Sequence, residues 1–191
     1  MHPVLIVPGW GGSGPDHWQT WWERELPHAR RVEMPDWHAP QRGAWIRAFD
    51  DAVAAAEAPP IVIAHSLGCV TVAHWAGSAA HSIRGALFVA PADLERASCP
   101  PALHDFGPVP RARLPFFTQV IASDDDPYAT LERVREMTDA WGARLTVLHR
   151  AGHINVASGF GPWREGRAWV DTVAGAAWPD ATGTAGELHP P

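Results

Sequence analysis

One short stretch of the chain has the residues of a nucleophile. Ala64-His65-Ser66-Leu67-Gly68 follows an apolar run and has the form G-x-S-x-G, in which a serine occupies a strained turn between a strand and a helix. Small residues are needed on both sides because larger ones would collide with packed backbone, and Ala64 stands where glycine is usual. The pattern predicts a nucleophilic Ser66; the alternative is an ordinary buried serine capping a helix.

A serine hydroxyl needs a base to take its proton, and the base needs a third group to orient it. In hydrolases with this turn, an acid and then a histidine follow later in the chain. The fifth apolar run ends in ASDDDP and the sixth in HRAGHIN. We therefore predict His153 as the general base, since it follows a strand in a glycine-flanked loop, whereas His149 still lies within the strand.

Three adjacent aspartates compete for the role of the acid. Mutual repulsion favours leaving two of them solvated, and Asp124 is expected to lie in such a turn. Asp126 is favoured because it directly precedes a proline and a helix, with Asp125 as the alternative. No EF-hand, H-E-x-x-H or paired C-x-x-C pattern occurs, so neither a metal nor a cofactor is expected.

Acyl transfer also needs hydrogen-bond donors for the developing oxyanion. The N–H that follows the nucleophile, that of Leu67, is one candidate. The glycine-rich loop PGWGG after the first apolar run supplies the second, for which we favour the N–H of Trp10. Trp10, Trp37 and Trp163 all fall in loops at the same predicted edge and are candidates for an aromatic wall around the substrate.

The elements that must position these residues alternate in type. Continuous apolar runs typical of strands covered on both faces are VLIV from Val4, RRVEM from Arg30, PIVIA from Pro60, GALFVA from Gly85, FFTQVIA from Phe116 and RLTVLH from Arg144. Helical patterns are HWQTWWEREL, RGAWIRAFDDAVAAA, LGCVTVAHWAGSAA, PYATLERVREMTDAW and GPWREGRAWVDTVAGAAW. This alternation predicts a mostly parallel sheet with helices on both faces and a ligand site at the carboxyl ends of the strands.

The length of 191 residues and the 46% hydrophobic content predict one domain, which we place at residues 1–176. Residues 177–191 have the composition of a disordered tail. The proline-rich segment from Pro91 to Pro115 lacks a clear period and is expected to be a structured loop, the single candidate for a lid.

Composition excludes several classes of partner. Fifteen Lys and Arg against 21 Asp and Glu give a formal net charge of −6 without a basic block, so neither nucleic acid nor a membrane surface is expected to bind. No run reaches the ~20 apolar residues of a membrane span, and the start of the chain lacks a signal-peptide pattern. Cys69 and Cys99 are expected to be free thiols in a reducing cytoplasm, which leaves a small molecule as the expected substrate.

Blocks along most of the chain resemble a known family in order. These are VPGWGGSGPDHWQTWWE, MPDWHAP, IAHSLGC, APADLE, ASDDDPY and GHINVASGFGPWREG, which cover nearly everything from Val4 to about Trp169. They resemble the small α/β-hydrolases related to YdeN and to retinoblastoma-binding protein nine. The resemblance implies an α/β-hydrolase fold with a minimal lid or none, and a triad of Ser66, Asp126 and His153. The L-x-C-x-E motif of the animal member is absent, since Leu67-Gly68-Cys69-Val70-Thr71 ends in threonine, so a retinoblastoma-type partner is not implied.

The residues and the resemblance together predict a serine hydrolase of the carboxylesterase type. Its substrate would be a small ester, amide or thioester, cleaved through an acyl-enzyme intermediate. The alternative, from another class, is a binding or regulatory protein that keeps the hydrolase fold and a vestigial triad.

Overall fold

The computed structural model describes residues 2–176, and the predicted tail at 177–191 lies outside the described residues. Six strands form a single sheet in the order β2-β1-β3-β4-β5-β6. Every neighbouring pair is parallel. The strands are β1 Val4–Val7, β2 Ala29–Arg31, β3 Ile61–His65, β4 Gly85–Val89, β5 Thr118–Ser123 and β6 Arg144–Leu148.

Helices cover both faces of this sheet, as predicted. They are α1 Trp18–Glu25, α2 Arg42–Ala54, α3 Leu67–Ala76, α4 Leu131–Trp141 and α5 Ala168–Gly175. Alternate residues of β1 enter different cores: Leu5 and Val7 pack with residues of α2, α3 and α4, whereas Val4 and Ile6 pack with residues of α1 and α5. The central strands β1, β3 and β4 are buried along their whole length, so their sequences are nearly continuously apolar, whereas the edge strands β2 and β6 are partly exposed.

The strand order places a crevice at one position of the sheet. The chain runs from β1 outward to β2 and then returns to β3 on the other side of β1, so the direction of winding reverses between β1 and β3. Ligands of open parallel sheets bind outside the carboxyl ends of the strands at such a reversal. The loop that begins at Pro8 and the turn at Ser66 both lie there.

The segment from Pro91 to Pro115 packs against the domain as a structured loop. It contains a short 3₁₀ helix, Pro101–Phe106, and it buries Leu94, Leu103, Phe106 and Leu114 in the larger core. These apolar side chains explain why the segment is ordered without a regular period. The predicted α/β-hydrolase fold class is confirmed by the parallel sheet and its flanking helices.

Other predictions concern single residues and segments. Cys69 and Cys99 are buried free thiols, as predicted. Burial raises the pKa of the Cys69 thiol above its ordinary value. Among the described residues, none of the helices is both long and apolar enough to cross a membrane. The division into one domain at 1–176 stays a prediction.

Candidate active site

Ser66 occupies the turn between β3 and α3 in a conformation that few side chains adopt. Its backbone angles are φ 54° and ψ −120°, and strain of this kind costs on the order of 1–3 kcal/mol. A Cβ on Gly68 would collide with the carbonyl oxygens of Val7 and Pro8, so glycine is required at that position. Ala64 is fully buried in the sheet, where its methyl group packs in the core in place of the usual glycine.

Three side chains from three different loops meet at this turn. The Nε2 atom of His153 lies 2.9 Å from the Oγ atom of Ser66. The Nδ1 atom of His153 lies 2.8 Å from Oδ2 and 3.0 Å from Oδ1 of Asp126. The side chains of His153 and Asp126 are 9% and 3% exposed. Since Nδ1 faces a carboxylate, this nitrogen carries the proton of the neutral ring, which leaves Nε2 free to accept a proton from the serine hydroxyl.

The loop that carries His153 is fixed by side chains at the end of β5. The Oδ1 atom of Asp125 accepts the Gly152 N–H at 2.7 Å, and the Oδ1 atom of Asp124 accepts the Arg150 N–H at 2.7 Å. Both carboxylates are exposed, as expected for two of the three aspartates, and each also bonds to the backbone of this loop. The Arg150 N–H lowers the pKa of Asp124, and the Ser123 hydroxyl followed by the Gly152 N–H lowers that of Asp125.

Two further histidines lie beside His153, and sequence reasoning assigned them no part in the site. The Nε2 atom of His65 is 3.0 Å from the carbonyl oxygen of His153, and their ring centroids are 4.8 Å apart. The ring of His17 lies 5.0 Å from that of His65. Burial, assisted by the charge of Arg31, lowers the pKa of His17 to about 4, and burial lowers that of His65 well below its ordinary value. Both rings are neutral near pH 7.

The backbone of the loop after β1 approaches the serine closely. A Cβ on Gly9 would lie 2.8 Å from the Cβ atom of Ser66, so only glycine allows this approach. Trp10 follows Gly9 and lines the cavity that lies in front of Ser66. Leu67 is the first residue of α3, and the N–H of a first helical residue has no carbonyl partner within its own helix. These two N–H groups stay the candidates for oxyanion donors.

The cavity in front of Ser66 has a volume of about 210 Å³, small for an organic ligand site. Its walls combine the histidines with apolar and aromatic side chains and one cation, including Trp10, Ala92, Arg96, Pro100, Leu103 and Tyr128. Of the three tryptophans predicted to form an aromatic wall around the substrate, only Trp10 lines this cavity. Trp37 packs instead against Gly12 and Trp45, and Trp163 stacks on Trp22 with ring centroids 5.5 Å apart.

Metal-ligating side chains do not cluster in the part of the chain that the structure describes. No group of three or more His, Cys, Asp and Glu residues within 2–176 could hold a metal ion. The histidines and aspartate near Ser66 bond to one another and to backbone atoms. The arrangement can activate a hydroxyl group by proton transfer.

The chain is similar to known hydrolases in sequence and in fold. A family model described as "Serine hydrolase" matches residues 4–172. A putative YdeN-like hydrolase from Pectobacterium atrosepticum is 29% identical, with a TM-score of 0.80 over 91% of both chains. The ydeN gene product from B. subtilis is 19% identical, with a TM-score of 0.75, over 91% of this chain and 98% of that one, which shows the shared fold alone. Est1E from Butyrivibrio proteoclasticus is 11% identical, with a TM-score of 0.66 over 91% of this chain and 86% of that one. This similarity, too, shows only the shared fold. No curated protein matches the chain.

Proposed function

The chain belongs to the serine hydrolase family, and from this premise we propose that it hydrolyses a small carboxylic ester by a Ser66-His153-Asp126 triad. A small amide or thioester is the alternative substrate for the same triad. One observation carries the proposal. The hydrogen bonds run without a break from a buried carboxylate through an imidazole to a serine held in a strained turn. Backbone strain of this kind persists where it serves function, and here it presents the hydroxyl to the cavity.

Acylation begins when the Ser66 oxygen attacks the carbonyl carbon of the ester while His153 Nε2 takes the hydroxyl proton. The carbonyl oxygen becomes an oxyanion, to which the N–H groups of Trp10 and Leu67 donate; each such donor lowers the barrier by on the order of 3 kcal/mol. The imidazolium ion is stabilised by the buried carboxylate of Asp126. His153 then gives the proton to the departing alkoxide oxygen, and the carbon–oxygen bond breaks to leave an acyl-serine.

Deacylation repeats these steps with water in place of the alcohol. His153 takes a proton from the water as its oxygen attacks the acyl carbon, and the same two donors hold the oxyanion. Collapse of the intermediate returns the proton to Ser66 and releases the carboxylic acid. The neutral state of His17 and His65 matters here, because a second cation beside the imidazolium would oppose its formation.

The surroundings of the site also bear on substrate and place of action. A cavity of about 210 Å³ accommodates a short acyl group or a small alcohol and not a long lipid chain. The two buried cysteines are free thiols, which supports a reducing compartment, the cytoplasm. The proposed partner is therefore a small molecule inside the cell.

A test is the hydrolysis of 4-nitrophenyl acetate by the protein and by Ser66→Ala. We expect the variant to keep the far-ultraviolet circular dichroism of the parent and to lose at least roughly 10³-fold in kcat/KM. Ser78→Ala, which changes an exposed serine just beyond α3, is the matched control and should retain the parent rate. Equal rates for the parent and Ser66→Ala would refute the triad and favour a binding protein with a vestigial site.

A further inference from the structure

Arg96 introduces a positive charge into an otherwise neutral substrate cavity. Resting on the proposed ester hydrolysis, we propose that Arg96 selects substrates whose acyl or alcohol part carries a carboxylate. The substrate class would then be half-esters of short dicarboxylic acids, or esters of small hydroxy acids.

The guanidinium group is held in place one aromatic ring away from the triad. Its Nη1 atom donates to the carbonyl oxygens of Asp93 at 2.5 Å and Tyr128 at 3.4 Å. Its central carbon lies 5.3 Å from the centroid of the Tyr128 ring. That ring meets the ring of His153 edge-on, with centroids 4.5 Å apart. The cation is therefore fixed in the cavity wall rather than free in solvent, and its Nε and Nη2 atoms donate no hydrogen bond to residues 2–176.

The nearby acidic side chains are occupied by other arginines. Asp93 accepts a hydrogen bond from the Nε atom of Arg133 at 3.3 Å, and Glu95 bonds to Arg133 and lies 3.6 Å from Arg111. Within residues 2–176, Arg96 itself forms no ion pair with a carboxylate. A partly buried guanidinium without an anionic partner favours binding one, and its planar edge matches a carboxylate with two parallel hydrogen bonds.

The rest of the cavity does not oppose an anion. Within the described part of the chain, no aspartate or glutamate lines the cavity. His17 and His65, which do line it, are neutral near pH 7. Leu103, Pro100 and Ala92 supply an apolar wall beside Arg96 for the methylene groups of a short chain. A small ligand with an ester at one end and a carboxylate at the other therefore fits both the shape and the charge.

The experiment compares charged and neutral esters of equal size. One pair places the charge on the acyl side, the 4-nitrophenyl monoester of glutaric acid against its terminal carboxamide. The second pair places it on the alcohol side, the acetate ester of 3-hydroxybenzoate against that of 3-hydroxybenzamide. The quantity measured is the ratio of kcat/KM for the charged ester to that for the neutral one, after subtraction of uncatalysed hydrolysis.

We expect the parent to favour the charged ester of at least one pair. Arg96→Gln should lower that ratio by roughly 10- to 100-fold, the usual loss on removing a charged hydrogen bond. Arg96→Lys keeps the charge but loses the planar guanidinium edge, so its ratio should lie between those of the parent and Arg96→Gln. Arg111→Gln is the matched control, since it removes an exposed arginine of the same loop, and it should keep the parent ratio. Equal ratios for the parent and Arg96→Gln in both pairs would overturn the inference.

A second measurement needs no variant and separates this inference from the proposed function. Labelling of Ser66 by a fluorophosphonate is followed with glutarate or its neutral diamide present. If glutarate slows the labelling of Ser66 and the diamide does not, the result supports the anion site. Equal labelling rates in the presence of glutarate and of the diamide would overturn it. Failure of Ser66 to label without any competitor would instead overturn the proposed function.

Discussion

Asp124, Asp125 and Asp126 are identical side chains in consecutive positions, and each makes different contacts. Asp126 alone reaches the ring of His153. Asp125 bonds the Ser123 hydroxyl at 2.6 Å, and Asp124 bonds His149 Nδ1 at 2.7 Å. The sequence favours Asp126 through its place before a proline and a helix and through the family resemblance. The bonds of the other two to His149, Arg150 and Gly152 could not be predicted, because these partners lie in the loop after β6, whose path depends on strand pairing.

Removing the charge of Asp126 should therefore be far more damaging than removing that of its neighbour. Asp126→Asn leaves the Nδ1 proton of His153 without a carboxylate, and we expect a loss on the order of 10⁴-fold in kcat. Asp125→Asn is the matched control, since one amide oxygen can still accept both bonds that the Oδ1 atom of Asp125 accepts, and its loss should stay below about tenfold. Hydrolysis of 4-nitrophenyl acetate measures both; the reverse ranking would assign the acid role to Asp125.

His17 and His65 show where sequence reasoning about single residues ends. His65 directly precedes the nucleophile in the chain. Its ring lies against that of His153, because the loop after β6 passes over the end of β3. His17 caps the start of α1, where its Nδ1 atom accepts the Gln19 N–H at 3.2 Å. Neither position has a local signal that separates it from the other histidines of the chain.

At the scale of secondary structure, the turn at Ser66 depends on the crossing of β1 and α3. The first turn of α3 lies against the carbonyl groups of Val7 and Pro8, so closely that a methyl group at Gly68 has no room. This contact brings the loop after β1 next to the nucleophile. The same contact therefore stabilises the fold and places Trp10 at the site.

Gly68→Ala should destabilise the protein. Backbone oxygens of a central strand cannot move away as a flexible side chain can, so we expect a loss of about 3 kcal/mol in the free energy of unfolding. Gly14→Ala is the matched control, because a Cβ at that residue meets nothing within 4 Å. Urea denaturation followed by tryptophan fluorescence compares the two. Equal midpoints for both variants would show that the elbow tolerates the methyl group.

Element type was predictable from the sequence and element ends were less so. All six apolar runs overlap a strand, but β2 begins one residue before its run and ends at Arg31, and β5 begins at Thr118, two residues after the predicted start. Pairing with a neighbour decides such ends, and a single run does not contain that information. The roles of Trp37 and Trp163 were wrong for a similar reason, since their partners Trp45 and Trp22 lie on helices whose packing the loop sequence does not reveal.

At the scale of the whole molecule, burying neutral histidines makes folding depend on pH. The pKa of His17 is about 4 in the fold, against about 6.5 for an unfolded histidine. Between these values the unfolded chain binds more protons, so stability rises with pH and falls as the solution is acidified below about 6.5. His65, with a pKa also lowered by burial, acts in the same direction.

We therefore expect the free energy of unfolding to fall between pH 7 and pH 5, with about 2 kcal/mol of the loss due to His17. His17→Asn keeps an acceptor at the start of α1 and removes the titrating ring, so its loss over the same range should be smaller by that amount. Urea denaturation at the two pH values measures both losses. Identical losses for parent and variant would show that His17 titrates normally in the folded protein.

The central claim is that this fold holds Ser66 as an activated nucleophile. Its most direct test is mass spectrometry of the protein after reaction with a fluorophosphonate, which modifies activated serines whatever the natural substrate. We expect one adduct per chain on the peptide containing Ser66, far slower labelling of Asp126→Asn, and no adduct at that position in Ser66→Ala. An unmodified Ser66 in the folded parent, under conditions that label a reference serine esterase completely, would contradict the account.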